Sequence, residues 1–195
     1  KKLNYSIRFI FIPETIGSIA FINKNFDHLK KNCLGGYNLT CLGFNKKDFG
    51  FIPTKYENNL SDKYLIQAYR ALKINYKKFS FLKRGSDERQ FNSPFVDIPI
   101  VTIFKTRFGD YKQYHTSEDN FKIVTNENIE KSFKLICKTI EIFQSQIIPF
   151  SKYICEPNMG KRGLYPLISG SKSSSSKSDF KIMMDFLQYS DGKND

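Results

Sequence analysis

The run Ile98–Phe104, IPIVTIF, constrains the fold more than any other part of the chain. It is short, apolar and β-branched, the composition of a buried strand. Charged and polar residues crowd both of its flanks. Ser86-Asp87-Glu88-Arg89 precede it, and Tyr114-His115-Thr116 with Glu118-Asp119 follow it. Acids before a buried strand and a histidine beyond it suit a site assembled on loops at sheet ends. His115 is one of only two histidines, and imidazole is the side chain best suited to move a proton or bind a transition metal near neutral pH. The plainer reading of the same loop is a surface turn with a helix cap, because Thr116–Asn120 (TSEDN) is ordinary turn chemistry.

Around this strand the chain alternates. Ser6–Ile12 (SIRFIFI) is nearly continuously apolar, which predicts a central strand covered on both faces. Pro13 ends it, and a turn over Glu14–Ser18 leads into a short helix through IAFIN. Glu14 then stands at the carboxyl end of a buried strand, where α/β sheets place their chemistry. The competing reading is a first-turn acid that steadies a helix N-terminus by ~0.3–1 kcal/mol. A polar connector over Phe26–Lys31 carries the other histidine, His28. Tyr37–Gly43 predicts a second strand, and a further short one falls near Phe51-Ile52. Ser61 is the expected cap of a helix with Leu65, Ala68, Tyr69 and Leu72 on one face, and Phe79–Leu82 a short strand. Asn126 opens the most regular helix, with Ile129, Phe133, Ile136, Ile140 and Phe143 as its apolar stripe and Glu127–Lys131 and Glu130–Lys134 as i,i+4 pairs. Ser171–Ser178 reads as a low-complexity linker, and Phe180–Tyr189 begins a new helix. Strand and helix in alternation predict an α/β sheet.

The formal charge of +12 over 195 residues raises the question of nucleic acid. The basic residues, however, come as scattered pairs such as Lys30-Lys31, Lys46-Lys47 and Lys83-Arg84, with no dense tract, so nucleic-acid binding is not the favoured reading. Four cysteines at 33, 41, 137 and 155 form no C-x-x-C pair. They are expected to be buried, reduced thiols of a cytoplasmic protein. No apolar run approaches the ~20 residues of a membrane span. H-E-x-x-H, G-x-S-x-G, P-loop and G-x-G-x-x-G patterns are all missing. Glu14 and His115 are therefore the one well-placed acid and the one well-placed imidazole, the minimal pair of a zinc hydrolase.

Two ordered stretches carry a family resemblance. RFIFIPETIGSIAFI resembles the strand-turn-helix of the zinc aminopeptidase-like exopeptidases, a superfamily that includes aminopeptidases, glutamate carboxypeptidases and glutaminyl cyclases. GSDERQF, DIPIV and YHTSEDN resemble its later Ser-Asp-x-x-x-Phe, Ile-Pro and Tyr-His-Thr-x-x-Asp run. The likeness is closest to a bacterial aminopeptidase-like branch that carries a C-terminal winged helix, with FKIMMDFLQYSDGKND as its opening. The resemblance implies an α/β fold: residues 1–148 the C-terminal part of a mixed-sheet exopeptidase domain with flanking helices, 149–178 loop and serine-rich linker, 179–195 the start of a truncated winged helix. It implies zinc as cofactor, Glu14 as general base, His115 as metal ligand, and Asp87 and Glu88 as an acidic substrate-binding segment. Peptide or small amide substrates follow, with no membrane partner. Thr15 stands where the superfamily has a second Glu, Phe44 where an acid is expected with Asp48 the nearest, and the early His and bridging Asp have no counterpart. The resemblance thus implies a fragment, inactive alone, of a zinc-dependent hydrolase. Acyl transfer of the glutaminyl-cyclase type and a catalytically degenerate binding module are the alternatives.

Overall fold

The computed structural model describes residues 3–45, 48–83, 85–145, 149–164 and 174–192. Lys46, Lys47 and Arg84 of the basic pairs, and Ser171–Ser173 of the expected linker, lie outside them. The chain divides into two compact units, residues 1–145 and 146–195.

The first unit is built on a four-stranded mixed sheet. Its strands are β1 (Gly36–Leu39), β2 (Phe49–Ile52), β3 (Tyr76–Lys78) and β4 (Ile100–Phe104), in the order β1-β4-β2-β3. β1 runs parallel to β4, β2 antiparallel to β4, and β3 parallel to β2. The helices are α1 (Ile16–Asn32), α2 (Leu60–Ala71), the short α3 (Asp87–Phe91) and α4 (Asn126–Ser145).

β4 is central, and its alternation serves two cores. Val101 and Ile103 join Phe49, Phe51, Leu65, Ala68, Tyr69 and Leu135 beneath α2 and α4, while Ile100 joins Ile22, Leu29, Phe91 and Ile98 beneath α1 and α3. Successive strand side chains point to opposite faces, so a fully buried strand must be apolar throughout. Thr102 breaks that run, yet is fully buried. β2 is buried at every position. Gly50 is required there, since a Cβ would lie 2.3 Å from the Phe104 ring.

Several elements differ from the sequence-based expectation. Ser6–Ile12 forms no regular element and pairs with no described strand, and Phe9 and Phe11 are 74% and 93% exposed. Its backbone finds no ladder partner, which an apolar composition cannot replace. It is held by Tyr5, whose ring meets Phe143 edge-on at 5.9 Å and whose carbonyl accepts from Gln144 Nε2 at 2.7 Å. The connector carrying His28 is helical, part of a longer α1. The cap of α2 is Asn59, not Ser61: Asn59 and Asp62 form a reciprocal capping box. Ser61 instead lies buried, bonding Pro99 O and Gly36 N. The strand expected at Phe79–Leu82 is Tyr76–Lys78. α4 buries Asn128, Ser132, Leu135 and Thr139 rather than the expected stripe, leaving Ile129 and Phe133 exposed. Small polar residues allow α4 close approach, and Ser132 Oγ donates to Leu42 O at 2.7 Å. The Glu127–Lys131 pair is present at 2.5 Å. All four cysteines are free, but Cys33 and Cys41 are half-buried and Cys137 and Cys155 exposed, against the expectation of burial.

In the second unit α5 spans Ser174–Gln188, starting earlier than expected, and a 3-10 turn covers Gly160–Arg162. Phe150 bridges Asp191, and Met159 is buried. Among the described residues no helix is long and apolar enough to cross a membrane.

Candidate functional site

Glu14 follows the Ser6–Ile12 segment and precedes α1. The backbone turns sharply at Thr15, with φ 61° and ψ −63°, and Ile16 N donates to Glu14 O at 2.7 Å. This is a γ-turn of the rare positive-φ kind, strained for a residue with a Cβ. Gly17 makes it possible, because a Cβ there would fall 2.8 Å from Ile12 Cβ and 2.9 Å from Pro13 Cδ.

The turn meets the start of α3. Ser86 Oγ donates to Glu14 Oε1, while Asp87 Oδ1 accepts from Thr15 N at 2.7 Å and from Ser18 Oγ. Asp87 thereby serves donors at the N-terminus of α1, where a carboxylate also favours the helix dipole. Glu88 points the other way, into the protein. It is fully buried, with Oε1 accepting from Ser86 N at 2.9 Å and Oε2 from Thr102 Oγ1 at 2.5 Å. Asn38 of β1 donates to the same Thr102 hydroxyl at 3.2 Å. A hydrogen-bonded path thus runs from two sheet strands through Glu88 and Ser86 to Glu14. The structure therefore brings Glu14, Asp87 and Glu88 together. Glu14 is exposed, and its Oε2 has no hydrogen-bond partner among the described residues.

His115 belongs to a second cluster. The chain leaving β4 folds into successive turns, and Tyr111 ties them to the exit of β1. Its hydroxyl donates to Asp119 Oδ2 at 3.0 Å and lies 3.7 Å from Cys41 Sγ, and its ring rests 4.5 Å from Phe44. Burial first, then these partners, push the Tyr111 phenol well above its ordinary range. His115 has φ 59° and stacks on Tyr114 with ring centroids 4.0 Å apart. Among the described residues no hydrogen bond joins it to Glu14, Asp87 or Glu88, and no three His, Cys, Asp or Glu side chains are grouped to hold a metal ion. The donors described here do not by themselves fit a zinc ion, which takes about four ligands.

Ser86 lies in the Ser-Asp-x-x-x-Phe stretch without a role of its own, and Thr102 and Asn38 are not marked as site residues by the sequence. For Thr102 the available signal is a hydroxyl interrupting the apolar run of β4.

Residues 1–146 match the model of a domain of unknown function, DUF4910, and residues 148–195 match a winged helix-turn-helix model. A Clostridium acetobutylicum protein, provisionally described as a polysaccharide biosynthesis protein with an aminopeptidase-like domain, is 36% identical over 199 residues. That similarity covers 99% of this chain and 44% of the relative. A crystal structure provisionally described as a peptidase, also from C. acetobutylicum, superposes with a TM-score of 0.71 at 30% identity, over 97% of this chain and 46% of that one. BSAP, a zinc aminopeptidase from Bacillus subtilis, shares the fold with a TM-score of 0.55 at 15% identity, over 64% of this chain and 32% of its own. The chain spans less than half the length of these proteins.

Proposed function

From its membership of the DUF4910 family over residues 1–146, followed by a winged helix-turn-helix region, we propose that this chain is part of an aminopeptidase-like hydrolase acting on peptide or small amide bonds. The observation that carries the reading is the exposed Glu14 carboxylate: one oxygen is fixed by Ser86, and the other has no hydrogen-bond partner among the described residues. Such a group can take a proton from an attacking water and return it to the leaving amine. Kinship with an aminopeptidase-like relative and likeness in fold to aminopeptidases support the reaction class.

Zinc dependence is part of the proposal and comes from the description of BSAP as a zinc aminopeptidase. His115 would be this chain's metal ligand. Its donors do not complete such a site among the described residues, so the remaining ligands would have to come from elsewhere in a longer protein.

The test is hydrolysis of an aminoacyl p-nitroanilide by the longest natural form of the protein and by its Glu14→Gln variant. Turnover should fall by about 10²–10⁴-fold in the variant, the usual contribution of a general base, with the zinc count unchanged. The 195-residue chain alone should be inactive. Undiminished turnover by Glu14→Gln would overturn the assignment.

A further inference from the structure

We infer that Asp87 is a positioning residue: it locks the strained turn that presents Glu14, acting through the backbone of Thr15 rather than by touching substrate. The inference rests on Glu14 being the general base.

The turn does not hold itself. Thr15 is β-branched and sits at φ 61°, ψ −63°, a conformation that survives only where its surroundings over-determine it. Gly17 packs the turn back on Ile12 and Pro13, but that contact restrains only its far side. The near side is closed by Asp87, whose Oδ1 takes both the Thr15 amide at 2.7 Å and the Ser18 hydroxyl. Asp87 can serve as a fixed point because α3 is itself immobilised. Glu88 is bonded to Thr102 and to Ser86 N, and Asn92 Nδ2 donates to Ile100 O at 2.8 Å. A five-residue helix is thereby held to β4 at both ends. The same helix start delivers Ser86 to the Glu14 carboxylate. One short element therefore fixes the base twice, at its side chain and at the peptide that follows it. With Oδ1 accepting two donors from the first turn of α1, Asp87 faces that helix rather than a substrate cleft.

Two measurements test this. The first is amide hydrogen exchange at Thr15 in the 195-residue chain. Asp87→Ala should accelerate it by about tenfold or more with Val101 and Ile103 in β4 unchanged, a local opening rather than global unfolding. The second is steady-state kinetics of the longest natural form. Asp87→Ala should lower kcat by about 10–100-fold with KM within about twofold, the pattern of a misplaced catalytic group. Asp87→Asn keeps the acceptor oxygen and should recover most of both. Ser18→Ala, a smaller perturbation for use if Asp87→Ala does not fold, should shift both readouts in the same direction by a smaller factor. Unchanged Thr15 exchange overturns the inference, as does a raised KM with kcat intact, which would make Asp87 a substrate contact. Faster Thr15 exchange with full kcat also overturns it. If Glu14→Gln retains turnover as well, the fault lies in the reading of Glu14 as base and not in the brace.

Discussion

Ser86 donates its hydroxyl to Glu14 across 72 residues of sequence, and the amide of the same serine donates to Glu88. One residue thus links an exposed carboxylate to a buried one. The exposed carboxylate reaches solvent, and the buried one carries the position of β4 out to it.

Glu88 is the member of this group that the fold can least spare. Replacement by Ala would leave Thr102 Oγ1 and Ser86 N without their acceptor in a buried environment. Unsatisfied buried polar groups are costly, so Glu88→Ala should destabilise the first unit by on the order of 3 kcal/mol. Chemical denaturation should show a lowered midpoint at unchanged slope. Thr102→Val removes the donor to Glu88 Oε2 and the acceptor of Asn38 Nδ2 but leaves the Ser86 N bond in place, and should cost less.

The start of α2 offers a graded pair. Asn59→Ala removes one half of a capping box and should cost about 1 kcal/mol. Asp62 supplies the other half, and also accepts from Thr54 N at 2.8 Å and from Thr54 Oγ1. Asp62→Ala should therefore be the more damaging of the two in a thermal melt. Equal losses would show that the Asp62 bonds to Thr54 contribute no more than the bond from Asn59 Nδ2 to Thr54 Oγ1 at 3.1 Å.

Lys105, buried beyond β4, sets a pH dependence. Its ammonium donates to Asn128 Oδ1 at 2.8 Å and lies 4.9 Å from the centre of the Phe49 ring. Burial is the main force holding its pKa below the ordinary 10.5; Lys131 adds to the lowering, while Glu127 and Asp48 oppose it. Between the folded and unfolded pKa values the unfolded chain binds more protons, so this group makes stability rise with pH as 10.5 is approached from below. Lys105→Met should flatten that rise. Melting temperatures of both proteins between pH 8 and 10.5 check it, and parallel curves would contradict it.

Gly17→Ala probes the Glu14 turn directly. The added methyl would sit inside contact distance of Ile12 and Pro13, and such overpacking typically costs about 1–3 kcal/mol. In the longest natural form the same change should lower kcat, since relief of the clash moves the turn that carries Glu14.

What the sequence disclosed was local. IPIVTIF gave β4 to within two residues, and the 3.6-residue period with Asn126 gave α4 because helix signals are contained within one segment. The exposure of Phe9 and Phe11 could not be read that way. Apolar composition reports what a strand would bury, whereas the backbone partner it needs lies in another part of a chain. The same limit hid the site's architecture. Ser-Asp-x-x-x-Phe and Tyr-His-Thr marked the two loops, and Glu14, Asp87 and Glu88 do come together. The sequence could not say that Asp87 would cap α1 while Glu88, its immediate neighbour, turned inward. Adjacent residues at the start of a helix point in different directions, and only the packing of α3 on β4 decides which of them meets solvent. His115 stands out in the sequence by its imidazole, but the residue that anchors its loop is Tyr111, one of eleven tyrosines with nothing in its neighbours to mark it.

The alternation of β4 limits how the gene can vary. Val101 and Ile103 face α2 and α4, while Ile100 and Thr102 face α1 and α3. Deleting or inserting one codon within the strand would exchange the two sets, presenting an aliphatic side chain to Glu88 and a hydroxyl to the opposite core. Length changes should accumulate in the turns after Phe104, while the five codons of β4 vary by substitution alone.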